Sequence, residues 1–128
     1  MTHHVLILDD EADVRTAIRL QLKGTRFEIL EAENFDQAMK LLQQNAITTD
    51  VIICDVRMPG VDGVEAVQNF QREYPNTPVI VLTGFPDVDL AVDFMKKQDV
   101  IDYLTKPVDK DKLVEAVEKA AQERRMFG

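Results

Sequence analysis

Five short, mainly apolar runs, each followed by polar residues, constrain the fold of this 128-residue chain more than any other feature. An apolar run without strict alternation is typical of a strand that is buried on both faces, as the strands of parallel sheets are. These runs predict strands at Val5–Leu8, Phe27–Leu30, Asp50–Cys54, Val79–Leu82 and Ile101–Leu104.

The segments between and after these strands carry apolar residues at the spacing of an amphipathic helix. Their inward-facing stripes are predicted within Val14–Leu22, Phe35–Leu42, Val64–Phe70, Val88–Met95 and Leu113–Ala120. Gly24 suits the left-handed end of the first helix, and Asn34 suits the cap of the second. A loop rich in proline and glycine, Met58–Gly63, precedes the third helix, and the fourth is predicted from about Asp87 to Lys97.

The alternation of five strands with five helices predicts right-handed crossovers and an α/β fold. We therefore expect one doubly wound, five-stranded parallel sheet of the flavodoxin-like (βα)5 type, with strand order 2-1-3-4-5. A chain of this length fits a single domain, so residues 1–128 are predicted to form one.

The charge balance excludes some classes of function. Lysine and arginine number 15 against 23 aspartates and glutamates, which gives a net charge of -8 and leaves no basic stripe to contact a run of phosphates. We therefore expect no direct binding to nucleic acid. No apolar run approaches the roughly 20 residues that span a bilayer, and the single cysteine, Cys54, cannot form an internal disulfide. A cytoplasmic protein outside the membrane is expected, with Cys54 as a small buried strand residue.

Polar residues follow four of the five predicted strands. Asp9 and Asp10 follow strand one, Asp55 follows strand three, Thr83 follows strand four, and Lys106 follows strand five. In a doubly wound sheet the functional site lies outside the carboxyl ends of the strands, near the switch point between strands one and three. Each residue alone could be an ordinary strand end, helix cap or surface side chain. Their joint placement predicts a site at this edge.

The residue types at this edge point to metal-assisted phosphoryl chemistry. Asp9, Asp10 and Asp55 can stay ionised together only if a cation neutralises them. Mg²⁺ is the expected ion because it takes hard oxygen ligands, here Asp10 and Asp55 with a backbone carbonyl, while Asp9 could orient metal-bound water. A carboxylate can also form an acyl phosphate if positive charge and hydroxyl donors hold the phosphoryl oxygens, and Lys106 and Thr83 supply both.

Four sequence blocks resemble the signature of the response-regulator receiver family, and the resemblance spans almost the whole chain. The blocks are Ile7-Leu8-Asp9-Asp10-Glu11, Cys54-Asp55-Val56-Arg57-Met58-Pro59-Gly60-Val61-Asp62-Gly63, Leu82-Thr83-Gly84 and Asp102-Tyr103-Leu104-Thr105-Lys106-Pro107. The resemblance implies that Thr83 and Lys106 hold the phosphoryl oxygens. It also implies a cis peptide bond between Lys106 and Pro107.

Further roles follow from the same resemblance. Asp55 would be the phospho-acceptor, and Asp9 would belong to the acidic pocket. Mg²⁺ would bind Asp10, Asp55 and the main-chain carbonyl of Arg57. Arg57 and Phe85, which flank the pocket, would set the lifetime of the acyl phosphate by crowding the approach of water, unless Arg57 only points to solvent and Phe85 only packs on the fourth helix.

The resemblance also implies a signalling role. A sensor histidine kinase, or a phosphotransfer protein of a phosphorelay, would donate the phosphoryl group, and Thr83 and then Tyr103 would move in response. The change would remodel the face made by helix four, strand five and helix five, which an output domain, a partner protein or a second copy of the chain would read. Such a chain would catalyse only its own phosphorylation and dephosphorylation.

A narrower resemblance concerns two segments, Asp87-Val88-Asp89-Leu90-Ala91-Val92 and Asp102-Tyr103-Leu104-Thr105-Lys106-Pro107-Val108. They resemble receivers of nitrogen-regulation-type transcriptional regulators, which usually precede an ATPase or DNA-binding part. One departure from the family is Gln98-Asp99-Val100, which replaces the usual glycine-containing link between helix four and strand five.

Two other classes of function share part of this pattern. A phosphatase-like hydrolase would use the same aspartyl-phosphate chemistry, but it needs a second general acid two residues past the nucleophile, where this chain has Arg57, and a cap for which the chain has no room. A degenerate receiver that only docks partners is disfavoured because the acidic, threonine and lysine residues are all present.

Overall fold

Strands and helices alternate in the computed structural model, which describes residues 2–57, 62–84, 93–94, 96 and 100–127. The strands are β1 (His3–Leu8), β2 (Phe27–Ala32), β3 (Thr49–Asp55), β4 (Val79–Thr83) and β5 (Asp102–Thr105). The described helices are α1 (Ala12–Gln21), α2 (Phe35–Asn45), α3 (Gly63–Glu73) and α4 (Lys110–Phe127), which is the fifth helix of the sequence prediction. Each strand begins and ends within two residues of its predicted bounds.

The sheet is parallel throughout and has the predicted order β2-β1-β3-β4-β5. Successive side chains of β1 enter different core layers, because strand residues alternate between faces. Leu6 and Leu8 pack in the layer that α2 and α3 cover, and Val5 and Ile7 pack in the layer that α1 and α4 cover. Burial on both faces explains why the strand runs are almost continuously apolar. Within the described ranges, no helix has both the length and the apolar character needed to cross a bilayer.

Local signals set the helix ends. Gly24 has a φ of 86°, as predicted for the left-handed end of α1, and the Asn34 side chain caps α2 by accepting a hydrogen bond from Gln37 N. At α3, the Asp62 carboxylate accepts from two backbone N–H groups of the first turn. Gly63 then begins this helix so close to the main chain that a Cβ there would lie 2.4 Å from the carbonyl oxygen of Val56.

The fourth predicted helix, from Asp87 to Lys97, lies largely outside the described residues. Residues 93, 94 and 96 are helical. Phe94 is fully buried, although the predicted stripe omitted it, and its ring centroid lies 6.3 Å from that of Tyr103. The link Gln98-Asp99-Val100 departs from the family pattern. Its last residue, Val100, is buried, and the Val100 N–H donates to the carbonyl of Phe94. The helical spacing of the sequence also places Ala17 on the inward stripe of α1, but this residue is exposed, because the buried face of the helix is narrow and is occupied by Ile18.

The amino-terminal edge of the sheet is held by an ion-pair network that the sequence analysis did not predict. Asp50, at the start of β3, is 7% exposed. Its Oδ2 lies 2.7 Å from Nδ1 of His3 on β1, and its Oδ1 accepts a 2.5 Å hydrogen bond from Arg124 of α4. The Arg124 guanidinium also donates to the carbonyl oxygens of Ala46 and Ile47 at the end of α2. One residue of the last helix thus joins α2, β3 and, through Asp50, β1.

Replacing Asp50 with alanine is expected to lower the free energy of unfolding by about 2 kcal/mol. The substitution removes a nearly buried carboxylate, so the Arg124 guanidinium keeps only its two carbonyl partners. Urea unfolding of the parent and the variant would measure the change. A matched control is Glu115→Ala, which removes an exposed acid of α4 and should change stability by less than about 0.5 kcal/mol. Equal effects of the two substitutions would contradict a stabilising role for the network.

Candidate functional site

The register between two neighbouring strands brings Asp9 and Asp55 side by side. Leu8 of β1 lies opposite Cys54 of β3, so Asp9 and Asp55 come next on adjacent strands. Both are buried, with 0% and 1% exposure, whereas Asp10 is exposed. The predicted gathering of these acids at the carboxyl edge of the sheet is therefore present. The neighbouring Cys54 thiol is fully buried, and burial, followed by the charge of Asp55, raises its pKa.

Lys106 contributes the positive charge of this edge. Its Nζ lies 2.8 Å from Oδ2 of Asp9, 3.0 Å from Oδ2 of Asp55 and 3.1 Å from Oε1 of Glu11. Its side chain is only 14% exposed. One ammonium group therefore contacts two of the residues that follow β1, Asp9 and Glu11, and the last residue of β3, Asp55.

Thr83 and Lys106 are joined through the main chain. Thr83 is the last residue of β4 and is fully buried, and its carbonyl oxygen accepts a 2.8 Å hydrogen bond from the backbone N–H of Lys106. The peptide bond between Lys106 and Pro107 is cis, as the family resemblance implies. Leu82, the residue before Thr83, pairs with Asp55, so Thr83 lies one position further along the sheet than the partner of Asp55.

The pKa values of Asp9 and Lys106 are both raised, for different physical reasons. Burial raises the pKa of Asp9, and the charge of Asp55 adds to the rise, although Lys106 and the N–H of Glu11 partly oppose it. Burial by itself would lower the pKa of Lys106, but close contacts with the carboxylates of Asp9, Asp55 and Glu11 outweigh it, so that this pKa lies above its usual value. Lys106 is therefore a cation at neutral pH.

The acidic cluster, defined as Asp9, Asp10, Glu11 and Asp55, suits a hard divalent cation. One carboxylate oxygen of each residue lies within 4.8 Å of the others. Among the described residues, the buried Oδ2 of Asp9 has no well-directed hydrogen bond, although Nζ of Lys106 is 2.8 Å away. The single ammonium of Lys106 contacts three of these four acids, so a surplus of negative charge is left to neutralise. Oxygen donors with surplus charge, two of them on the exposed residues Asp10 and Glu11, fit Mg²⁺.

The remaining predicted site residues are Arg57, Tyr103 and Phe85. The backbone N–H of Arg57 donates a 2.9 Å hydrogen bond to Oδ1 of Asp55, and the Arg57 side chain is exposed. Tyr103 lies on β5, half-buried against Phe94. Phe85, predicted with Arg57 to control the lifetime of the acyl phosphate, lies outside the described residues.

Two residues of this edge were missed by the sequence reasoning. Glu11 belongs to the acidic cluster through its contact with Lys106, and the run of three acids after strand one was a signal for it. Arg15 of α1 donates a 2.6 Å hydrogen bond to the carbonyl oxygen of Asp9. No sequence signal identified Arg15, since an arginine on an amphipathic helix is ordinarily a surface residue.

Comparison with known proteins agrees with the fold and identifies a family. Residues 5–118 match the family model of the response regulator receiver domain. The DNA-binding transcriptional regulator NtrC of Salmonella typhimurium is 34% identical over 116 residues, which cover 91% of this chain and 24% of that protein. The response regulator protein PilR of Pseudomonas aeruginosa is 34% identical over 119 residues, which cover 93% of this chain and 26% of that protein.

Solved structures have the same architecture. A response regulator receiver domain protein from Clostridium thermocellum superposes with a TM-score of 0.88 at 28% identity, covering 98% of this chain and 99% of that one. The chain spans about a quarter of the length of the curated relatives that it matches. Similarity to NtrC agrees with the predicted likeness to receivers of nitrogen-regulation-type regulators.

Proposed function

Because the chain belongs to the response regulator receiver family, we propose that it is the phospho-accepting domain of a two-component system, in which Asp55 takes up the phosphoryl group. The proposal treats residues 1–128 as one receiver domain. Its main support is the convergence of two buried carboxylates, Asp9 and Asp55, on the ammonium of Lys106. Burying two like charges is unfavourable, so their contact at the functional edge of a doubly wound sheet favours a reactive pocket over a surface ion pair.

In the proposed reaction, a carboxylate oxygen of Asp55 attacks the phosphorus of a phosphohistidine. The bond between phosphorus and the imidazole nitrogen breaks, and the imidazole leaves with the electron pair. Lys106, already 3.0 Å from Asp55, would hold a phosphoryl oxygen, and the Thr83 hydroxyl would donate to another. The donor would be a sensor histidine kinase or a phosphotransfer protein. Hydrolysis of the acyl phosphate would restore Asp55, so the chain would catalyse only its own modification.

Mg²⁺ is proposed to bind at the acidic cluster. Asp10, Asp55 and the main-chain carbonyl of Arg57 would hold the ion, with Asp9 acting through water. When bound, the ion supplies the positive charge that neutralises the carboxylates and the incoming phosphoryl oxygens. The N–H of Glu11 fixes Oδ1 of Asp9 at 2.8 Å, which leaves Oδ2 to face the cluster.

Phosphorylation is proposed to act as a switch. Thr83 and then Tyr103 would shift. The face made by the fourth predicted helix (from about Asp87 to Lys97), β5 and α4 would then change its shape for an output domain, a partner protein or a second copy of the chain. The packing of Tyr103 against Phe94 links β5 to the fourth helix and supports this path. Arg57 and Phe85 are proposed to set the lifetime of the phosphorylated state.

The proposed function can be tested by incubating the protein with Mg²⁺ and a small phosphodonor and following its intact mass. A single phosphoryl adduct that decays after removal of the donor is the expected result. Continuous turnover of the donor with no adduct would favour the hydrolase alternative. An unchanged mass would favour a receiver that only docks partners, and either outcome contradicts the proposal.

Lys106→Ala should retain Mg²⁺ binding but lose the coupling between phosphorylation and the switch, because the ammonium holds the phosphoryl group and not the metal. Without Mg²⁺ the variant should also be about 2 kcal/mol less stable, since two buried carboxylates lose their counter-charge. NMR of Tyr103, with and without the phosphodonor, would measure the coupling. Lys112→Ala, an exposed lysine of α4, is the control. Tyr103 signals that move in Lys106→Ala as in the parent would refute the role.

A further inference from the structure

Arg15 helps to fix the main chain of the acidic cluster at Asp9. Its Nη1 donates to the carbonyl oxygen of Asp9 at 2.6 Å, and its Nε pairs with Oε1 of Glu31 on β2 at 3.2 Å. The backbone N–H of Asp9 donates to the carbonyl of Ala32, the last residue of β2. Both polar groups of the Asp9 main chain are therefore anchored to the end of β2, one directly and one through Arg15.

The anchored carbonyl has a specific geometric consequence. The carbonyl of Asp9 and the N–H of Asp10 belong to one planar peptide unit. A hydrogen bond that fixes this plane therefore also limits the direction in which Asp10 leaves the main chain. Asp10 is exposed, so the position of its carboxylate is set by the main chain more than that of a packed side chain would be.

Glu31 holds Arg15 in this position. Its two oxygens are shared between Arg15 and Arg19, the latter at 2.5 Å. Arg15 is 14% exposed and Arg19 is 50% exposed, and the contact to Asp9 is made by Arg15. The two arginines of α1 thus share an acid partner but differ in their relation to the acidic cluster.

We propose that Arg15 is a positioning residue for the Mg²⁺ site: it orients the peptide between Asp9 and Asp10 and so sets the affinity of the acidic cluster for the ion. The inference rests on the proposed function, because it assumes that this cluster binds Mg²⁺. Groups that orient ligands without touching the metal commonly change affinity by 10- to 100-fold, roughly, when they are removed.

Charge and geometry predict opposite effects here. A guanidinium near the site repels Mg²⁺, so its loss would tighten binding if Arg15 acted only through charge. Its loss would weaken binding if Arg15 acts by orienting the peptide. Arg15→Lys separates the two, because it keeps the charge but cannot bridge Glu31 and the Asp9 carbonyl with a planar fork.

The experiment is calorimetric titration of Mg²⁺ into the parent, Arg15→Lys, Arg15→Gln and Arg19→Gln, with thermal unfolding of each protein in the absence of Mg²⁺. Both Arg15 variants should bind Mg²⁺ about tenfold more weakly than the parent. Arg19→Gln, which loses an ion pair to the same Glu31, should stay within about twofold. Weaker binding at matched unfolding temperatures marks an effect on the site and not on the fold.

Parent-like affinity in Arg15→Lys, tighter binding in Arg15→Gln, or equal weakening in Arg19→Gln would each overturn the proposal. A parent protein that binds no Mg²⁺ would overturn both this proposal and the proposed function. A parent that binds Mg²⁺ and forms the phosphoryl adduct, together with an Arg15→Lys variant of unchanged affinity, would overturn the positioning role alone.

Discussion

The Asp55→Asn variant is expected to take up no phosphoryl group from either a small phosphodonor or a histidine kinase, while its fold stays intact. The amide keeps the shape of the carboxylate but lacks its nucleophilic charge. Its oxygen can still accept the hydrogen bond from Arg57 N–H, and Lys106 keeps Asp9 and Glu11 as partners. The free energy of unfolding should therefore change by no more than about 1 kcal/mol.

Intact mass after incubation with the donor and Mg²⁺ would measure the loss, and urea unfolding would measure stability. Asp62→Asn is a matched acid-to-amide control, because asparagine caps a helix about as well as aspartate and α3 should keep its cap. This control should be phosphorylated like the parent. An undiminished adduct on Asp55→Asn would show that another residue is the acceptor.

Replacing Gly63 with alanine is expected to destabilise the fold by about 2 kcal/mol and to slow phosphorylation. Alanine is ordinarily favoured over glycine in a helix by about 1 kcal/mol. Here, however, the added Cβ would lie 2.4 Å from O, 2.5 Å from Cβ and 2.7 Å from Cα of Val56. Main-chain atoms cannot rotate away, so either α3 or Val56 must shift, and overpacking of this kind outweighs the gain in helix propensity. Val56 follows Asp55 directly, so the shift reaches the proposed acceptor.

Gly24→Ala provides the control for this prediction. A Cβ at Gly24 would have nothing within 4 Å, but the φ of 86° is unfavourable for alanine. We expect a loss of about 1 kcal/mol with no change in the rate of phosphorylation. Urea unfolding and the initial rate of adduct formation would be measured on both variants. A Gly63→Ala protein that is as stable and as reactive as the parent would contradict the close approach of α3 to Val56.

Features encoded in short stretches of sequence could be predicted. The strand runs, the cap at Asn34 and the turn at Gly24 each depend on a few adjacent residues, and the alternation of strands with helices limits the sheet to a few possible orders. The same logic placed Asp9, Asp55 and Lys106 at one edge, because parallel strands all end there. Their contacts in the structure match that expectation.

Contacts between distant side chains away from this edge could not be predicted. Arg124 reaches Asp50 across 74 residues, and its partner depends on the register of β3 and the exact rotation of α4. Phe94 faces inward because of where its helix packs, which the apolar spacing of that segment leaves ambiguous. Arg15 differs again, since its partner is a backbone carbonyl, which carries no signature in the sequence.

The Arg124 network bears on how this domain can be excised for experiments. The family match ends at residue 118, yet Arg124 lies six residues further along α4 and contacts Asp50, Ala46 and Ile47. A fragment trimmed to the family boundary would keep Asp9, Asp55 and Lys106 but expose the edge where the sheet begins. Expression boundaries for this receiver should therefore be drawn beyond residue 124.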